Sequence, residues 1–180
     1  MEDNMQFKKI ISLCKKHKKI IIFNAAGRQW CGDGQAYFCL DGFPTMSRDE
    51  IIKVFDISQD DESKYIIADR DERTTLLDFR DAGVPEYDVA VSPYPFVCAS
   101  GEYIPGMIDG QIHLIDDDYH AAFGGGCTMF ARRAASGEIY IAVRRGIFLE
   151  GLIFPSNDLT ITFEAWIDKM HELIHGGERQ

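Results

Sequence analysis

The stretch CTMFARRAASGEIYIAVRRGIFLEGLIF, residues 127–154, decides the fold class. It holds three apolar runs in succession, at 127–132, 138–143 and 147–154. Short runs rich in Ile, Val, Phe and Tyr and separated by glycine steps are typical of β-strands. Since the step at Arg145 and Gly146 is tight, the last two runs are predicted to form a hairpin. The stretch therefore predicts neighbouring antiparallel strands.

Shorter apolar runs elsewhere extend the predicted sheet. A buried-type strand is expected at 20–25, and the next two runs flank Gly32, Asp33 and Gly34, a turn in which two positions tolerate a positive φ. The remaining strands are predicted at 28–31, 35–40, 65–68, 89–91, 96–99 and 111–115. Pro and Gly turns separate the later ones. Most of these strands are expected to pair antiparallel.

Two helices are predicted in the first third of the chain. Residues 5–17 place their apolar side chains at helical spacing. Ser47 and Glu50 have the spacing of a capping box, in which each side chain bonds the other residue's backbone N–H. This box indicates a helix that begins at 47 and ends at about 55.

Two more helices are predicted later in the chain. A short one is expected at 74–81, ended by Gly83. The last, at 163–175, has one continuous apolar stripe, made by Phe163, Trp166, Ile167, Met170 and Ile174. The predicted fold is α+β: mostly antiparallel sheet packed by the N-terminal helix, the capped helix near 47–55 and the C-terminal helix.

One domain, residues 1–180, is the expectation from the length of 180 residues. Within it, a strand, a proline and a capped helix occur twice, around Pro44 and Pro155. The echo can mark a duplication with halves at about 18–56 and 127–175. We favour coincidence as the interpretation, because strand–proline–helix units are common in α+β domains.

The cysteines and the hydropathy of the chain indicate the cellular compartment of the protein. The five cysteines are odd in number, scattered and without a C-x-x-C pair, which indicates free thiols in a reducing compartment. The N-terminus lacks the basic start and apolar core of a signal peptide, and the longest strongly apolar run is too short to span a bilayer. We therefore expect a cytoplasmic protein without a membrane partner.

An H-E-x-x-H pattern, His171, Glu172 and His175, lies on the predicted last helix. In zinc hydrolases this spacing lets two imidazoles bind the metal while the glutamate polarises a metal-bound water. Here a third ligand has little chain left to come from, and Glu172 lies opposite the apolar stripe. A solvated helix face or a weak metal site remains the simpler interpretation. No cofactor is expected, and zinc only under the alternative that this motif is catalytic.

A second candidate for chemistry is Cys127, which follows the glycines 124–126 and lies near His120. Glycines let a backbone approach the thiol, and a histidine can generate a thiolate. We favour the interpretation that Cys127 packs as a small hydrophobe, as most free cysteines do. The aspartates 116–118 with His120 can also be drawn as ligands of a divalent ion, but consecutive positions fit a solvated turn better.

Charge is distributed unevenly along the chain. Residues 1–19 hold six lysines and two acids, which gives them a local charge of +4. Since the net charge of the whole chain is −10, the remaining residues carry −14. The basic patch consists of Lys8, Lys9, Lys15, Lys16, Lys18 and Lys19. It can bind phosphate groups, pair with the acidic middle of a second copy, or simply be a solvated helix face. No aromatic side chains are interleaved for base stacking, so nucleic acid is an unlikely partner except through this helix.

Tyrosines and prolines are concentrated between 87 and 105. Rigid aromatic side chains on proline-braced loops lose little entropy on binding and make good partner surfaces. The candidate partner surface is Tyr87, Tyr94, Phe96 and Tyr103. Packing of these rings against the core is the alternative interpretation.

The function expected from these patterns is a non-catalytic interaction or accessory module that binds a protein partner or a second copy of itself. The first alternative is a zinc-dependent hydrolase that uses the motif at 171–175. The second is a nucleic-acid accessory protein that uses the lysine-rich first helix.

Overall fold

Two β-sheets and several short helices make up the structure, a computed structural model that describes residues 7–98, 101–161 and 170. Its strands are β1 (Lys19–Ala25), β2 (Arg28–Gly32), β3 (Ala36–Cys39), β4 (Ile66–Ala68), β5 (Tyr87–Asp88), β6 (Ala90–Val91), β7 (Phe96–Cys98), β8 (Gly101–Ile108), β9 (Gln111–Asp116), β10 (Thr128–Arg133), β11 (Ile139–Arg145), β12 (Phe148–Ile153) and β13 (Ser156–Ile161). Its helices are α1 (Phe7–His17), α2 (Arg48–Val54), α3 (Gln59–Glu62) and α4 (Asp117–Ala121). This mixture confirms the predicted α+β class.

The larger sheet has eight strands in the order β4-β1-β2-β3-β12-β11-β10-β5. All neighbours are antiparallel except β1 and β4, which are parallel. The stretch 127–154 supplies β10, β11 and β12, and the predicted hairpin is confirmed: Ile141 pairs with Ile153, with a bulge after Val143. The turn at 32–34 likewise joins β2 and β3, with Trp30 opposite Cys39.

Both faces of this sheet are covered. Along β1, alternate side chains enter two different cores: Ile20 and Ile22 belong to the first, Ile21 and Phe23 to the second. Because successive strand side chains point to opposite faces, a continuous apolar run fits only a strand buried on both sides. The first core also takes side chains from α1, α2 and α4 and from the smaller sheet.

The centre of the sheet is the junction of two three-stranded meanders, β1-β2-β3 and β10-β11-β12. Their last strands meet antiparallel, with Phe38 opposite Gly151. A Cβ on Gly151 would lie 2.2 Å from the ring of Phe123, so no larger residue fits there without displacing that ring. The close packing of Phe123 on Phe38, with ring centroids 4.8 Å apart, therefore depends on the glycine.

The smaller sheet has the order β13-β9-β8-β6, and β7 also pairs with β8. Its longest strand, β8, was not predicted from the sequence, because Pro105 and two glycines lie within it. Proline has no N–H to donate, but the carbonyl of Pro105 accepts a hydrogen bond from the Ser92 backbone at 2.8 Å. Pro105 also keeps its place in the ladder opposite Leu114.

The two predicted N-terminal helices are confirmed. Helix α1 buries Ile10, Leu13 and Cys14, and the capping box of α2 is complete: the Glu50 carboxylate accepts from the Ser47 backbone at 2.8 Å, and the Ser47 hydroxyl accepts from the Glu50 backbone at 3.4 Å. No helix in the described part of the chain is long and apolar enough to span a membrane.

The helix predicted at 74–81 is wrong. Only a single 3₁₀ turn forms there, at Arg73–Thr75. The chain then runs irregularly, so that Phe79 reaches the second core and packs on Trp30 with ring centroids 4.8 Å apart. Tertiary packing of one aromatic ring overrides the local helical pattern.

The predicted helix at 163–175 lies outside the described residues, apart from Met170, which is helical. Before it, residues after Pro155 form the strand β13, where the sequence suggested a direct passage from proline to helix. The second unit of the echo therefore differs from the first, in which α2 follows Pro44 without an intervening strand.

Candidate functional site

The residues singled out in the sequence fall at several places. His171, Glu172 and His175 lie outside the described residues. Among the described residues, no group of three or more His, Cys, Asp and Glu side chains is arranged to hold a metal ion.

The lysines of the basic patch hold neighbouring elements. Lys15 Nζ donates to the Phe55 carbonyl at 2.9 Å, and Lys16 Nζ to Asp118 at 3.0 Å. Lys9 reaches the Ala121 carbonyl at 3.5 Å. Lys19 pairs with Asp71, while Lys8 and Lys18 are exposed. Three of the six lysines, Lys9, Lys15 and Lys16, therefore tie α1 to α2 and α4.

A cleft of about 720 Å³ collects several other candidates. We call it the proline cleft; its wall includes Val89, Val91, Pro93, Pro95, Ile104, Met129 and Phe130. The carboxylates of Asp88, Glu102 and Asp117 also line it. Strands β5, β6, β8 and β10, together with α4 and the turn at 92–95, position these side chains.

His120 and Cys127 line the proline cleft too, but they do not form a nucleophile–base pair. No hydrogen bond joins them; the His120 ring lies 3.7 Å from Asp117, and the Cys127 Sγ lies 4.0 Å from the Phe123 carbonyl. Burial raises the pKa of the Cys127 thiol, which keeps it protonated. A thiolate nucleophile needs the opposite shift, so the geometry favours the packing interpretation.

The predicted partner surface divides into exposed and buried parts. Tyr87 and Tyr94 are 49% and 60% exposed, and Phe96 is partly buried. Tyr103 is buried among Ile112 and Leu114, so its ring does not belong to an exposed surface.

His113 on β9 is buried, and neither of its ring nitrogens has a hydrogen-bond partner. Burial lowers the pKa of this imidazole, which keeps it neutral. It packs as an uncharged ring and offers no route to a ligand.

A cluster that the sequence did not reveal joins His17, Asp33 and Tyr119. His17 Nδ1 lies 2.5 Å from Asp33 Oδ2, and the Tyr119 hydroxyl donates to the same oxygen at 2.6 Å. The three side chains come from the end of α1, the turn between β2 and β3, and α4. They lie up to 102 positions apart, so no local spacing could have predicted the cluster.

Asp33 is the centre of this cluster. Its side chain is 1% exposed, and its second oxygen, Oδ1, accepts the backbone N–H groups of Gln35 at 2.9 Å and Ala36 at 3.1 Å. Four donors therefore surround one buried carboxylate, which compensates the loss of its hydration. The turn at 32–34 was predicted from its two glycines. Asp33, which lies between them, connects this turn to α1 through His17 and to α4 through Tyr119.

The cluster borders a second cleft, which we call the His17 cleft. It has two lobes of about 630 and 310 Å³, and His17, Gln35 and Arg73 line both of them. His17 is 35% exposed at the side chain, in contrast to the buried Asp33. The molecule thus has a polar cleft around a fixed histidine and an apolar cleft with acidic residues.

Comparison with known proteins does not add to these observations. No family model, no curated protein and no solved structure matches the chain. What the protein does has to be inferred from its own residues and their geometry.

Proposed function

We propose that the protein is an interaction module that binds a protein partner through the proline cleft, with no catalysis at that cleft. The occupant is a partner segment that inserts an apolar side chain between basic residues. The observation that carries this proposal is the composition of the cleft: an apolar wall with three carboxylates, in a space of about 720 Å³.

Apolar surface around the cleft supports the proposal. Val91 lines it and is 41% exposed, and Tyr94, between the two prolines of the wall, is 60% exposed. Burying such surface releases about 25 cal/mol per Å² on binding. Pro93 and Pro95 brace the loop, which reduces the entropy lost when a partner docks.

Charge decides which partner fits. Asp88, Glu102 and Asp117 line the cleft, and the whole chain carries −10. Such a field attracts basic segments and repels nucleic acid and anionic lipid surfaces. Because Lys15 and Lys16 hold neighbouring elements, α1 is poorly placed to serve as the basic segment of a second copy, and we favour a different protein as partner.

Two further proposals accompany this one. Four free thiols among the described residues support a reducing, cytoplasmic location. The two meanders that meet at β3 and β12 support a duplication with halves near 18–56 and 127–175.

The test is selection of a random peptide library on the intact protein. We expect enriched peptides in which Leu, Phe or Trp lies between Lys or Arg residues, with binding that weakens as salt is added. Val91→Lys, which removes apolar surface from the cleft wall and places there a charge of the same sign as the peptide, should weaken a selected peptide by about 10-fold or more.

The matched control is Ile66→Lys. Ile66 is also an exposed aliphatic residue, at 62% against 41% for Val91, but lies on β4 at the opposite edge of the large sheet from β5. Equal loss in both variants, or peptides without basic residues, would contradict the proposal. Self-association of the free protein that protects the cleft from peptide would show that the occupant is a second copy instead.

A further inference from the structure

The proton between His17 and Asp33 determines what the rest of the imidazole can do. Nδ1 and Oδ2 are 2.5 Å apart, where two lone pairs would repel, so a proton lies between them. Tyr119 stays protonated, because burial and the Asp33 charge raise the pKa of its phenol well above the usual range. Its hydrogen goes to Asp33 as well. In the neutral ring, Nε2 therefore carries the lone pair.

This arrangement makes His17 a prepared proton acceptor. Asp33 is fixed by two backbone N–H groups, so it holds the imidazole in one orientation and one tautomer. Since Nδ1 is occupied, Nε2 is the nitrogen that a ligand in the cleft can reach. Among the described residues, nothing hydrogen-bonds to it.

Two N–H donors border the same space. The Arg73 guanidinium is held 4.4 Å above the Phe154 ring, bonds the Gly34 carbonyl at 3.0 Å and lies 3.5 Å from Glu138. A guanidinium has five N–H groups, so these contacts leave donors free for a ligand. The exposed side-chain amide of Gln35 is the second donor.

Both lobes of the cleft are lined by polar side chains, and the smaller one also has an apolar strip. Phe154 and Pro155 form this strip in the smaller lobe, while Lys19, Asp71 and Glu72 line the larger lobe. His17, Gln35 and Arg73 belong to both lobes. A small molecule whose acyl group packs against Phe154 and Pro155 thus has its reacting carbon in the space that the base and the two donors line.

We infer that the His17 cleft is a hydrolytic site for small acyl compounds, with His17 as the catalytic base and with Asp33 and Tyr119 as positioning residues. Nε2 takes a proton from water while the water oxygen bonds the acyl carbon and the carbonyl electron pair moves to oxygen. Arg73 and Gln35 donate to that oxyanion. When the pair returns, the alcohol leaves and takes the proton from the imidazolium. Ester and water become acid and alcohol, and no cofactor is consumed.

The test is hydrolysis of para-nitrophenyl acetate by the intact protein, followed by the release of para-nitrophenolate. We expect His17→Gln to reduce the protein-dependent rate by about 100-fold. Glutamine can still donate to Asp33, so this variant should fold. The matched control is Arg48→Gln: Arg48 is also a partly exposed basic side chain paired with a carboxylate, Glu62, but it lines neither cleft and should leave the rate unchanged.

A spectroscopic measurement separates catalysis from a purely structural role of Asp33. Imidazole ¹⁵N NMR should show His17 with the proton on Nδ1, and Asp33→Asn should change the tautomer and reduce the rate together. Tyr119→Phe keeps the His17–Asp33 pair but removes the hydroxyl that lies 2.8 Å from Nδ1, so it should reduce the rate less than Asp33→Asn does.

Three outcomes would overturn the inference. The first is a His17→Gln variant as active as the unaltered protein. The second is equal loss in Arg48→Gln, and the third is activity that EDTA abolishes while His17→Gln does not, which would assign hydrolysis to the motif at 171–175. None of these bears on peptide binding at the proline cleft.

Discussion

The two clefts differ in how their chemistry is fixed. In the His17 cleft, a buried carboxylate with four donors holds one histidine in place. In the proline cleft, the carboxylates of Asp88 and Glu102 lie on exposed residues beside an apolar wall. The chemistry of the His17 cleft depends on the positions of individual atoms, whereas that of the proline cleft depends on its total charge and on its apolar area. One is suited to a reaction and the other to docking, and substitutions should therefore have very different effects in the two.

The largest expected difference is between Asp33→Ala and Asp88→Ala. Removing Asp33 leaves His17, Tyr119 and two backbone N–H groups without their acceptor, and we expect a loss of about 3–5 kcal/mol in the free energy of unfolding. Asp88→Ala removes an exposed charge and should change it by less than about 0.5 kcal/mol. Urea denaturation of both variants measures the difference. Similar small losses would show that the Asp33 cluster does not support the fold.

A smaller contrast is expected between two tyrosine hydroxyls. Tyr119→Phe removes one donor from the buried Asp33 and should cost about 1–2 kcal/mol. Tyr94→Phe removes a hydroxyl from a largely exposed ring beside the proline cleft and should cost almost nothing. Thermal unfolding of the two variants is the measurement. A Tyr119→Phe protein as stable as the original would mean that the phenol is not needed to satisfy Asp33.

The smallest contrast concerns two adjacent residues, Asp116 in the His17 cleft and Asp117 in the proline cleft. Burial raises the pKa of Asp116, so the folded state binds a proton more readily than the unfolded state. Its contribution to stability therefore falls as the pH rises from below the unfolded value of about 3.9 through the folded pKa.

Asp116→Asn should remove that loss while still capping α4, and so should stabilise the protein at neutral pH by less than about 1 kcal/mol. The gain should vanish in acid, and urea denaturation across a pH series measures it. Asp117→Asn, which alters a more exposed carboxylate, serves as the control. A gain that persists in acid would show that its origin is not the charge of Asp116.

Local sequence patterns predicted most of the described elements. The helices predicted at 5–17 and 47–55 are present at Phe7–His17 and Arg48–Val54, and the hairpin turn at 32–34 and the strands of 127–154 also appear. Each is encoded by neighbouring residues: apolar spacing, a capping pair, or a glycine turn. The strand β8 and the irregular segment after Thr75 were not predictable in this way. Pro105 and Phe79 take their places from partners distant in the chain.

The same distinction between local and distant partners applies to the two clefts. The composition of segment 87–105 predicted a partner surface. Residues of this segment do form one side of the proline cleft, although the Tyr103 ring is buried. The His17 cluster had no such signal. A histidine at the end of a helix, an aspartate in a glycine turn and a tyrosine in an acidic segment are each ordinary alone.

The sequence by itself determined the α+β class, the antiparallel meander and the acidic charge, since these follow from composition and from periodicities of two and 3.6 residues. Only the tertiary structure decided which polar groups meet. The fold brings the turn at 32–34, the end of α1 and helix α4 together. Once water is excluded there, a buried carboxylate must take its hydrogen bonds from whatever donors the fold supplies, and Asp33 takes them from His17 and Tyr119.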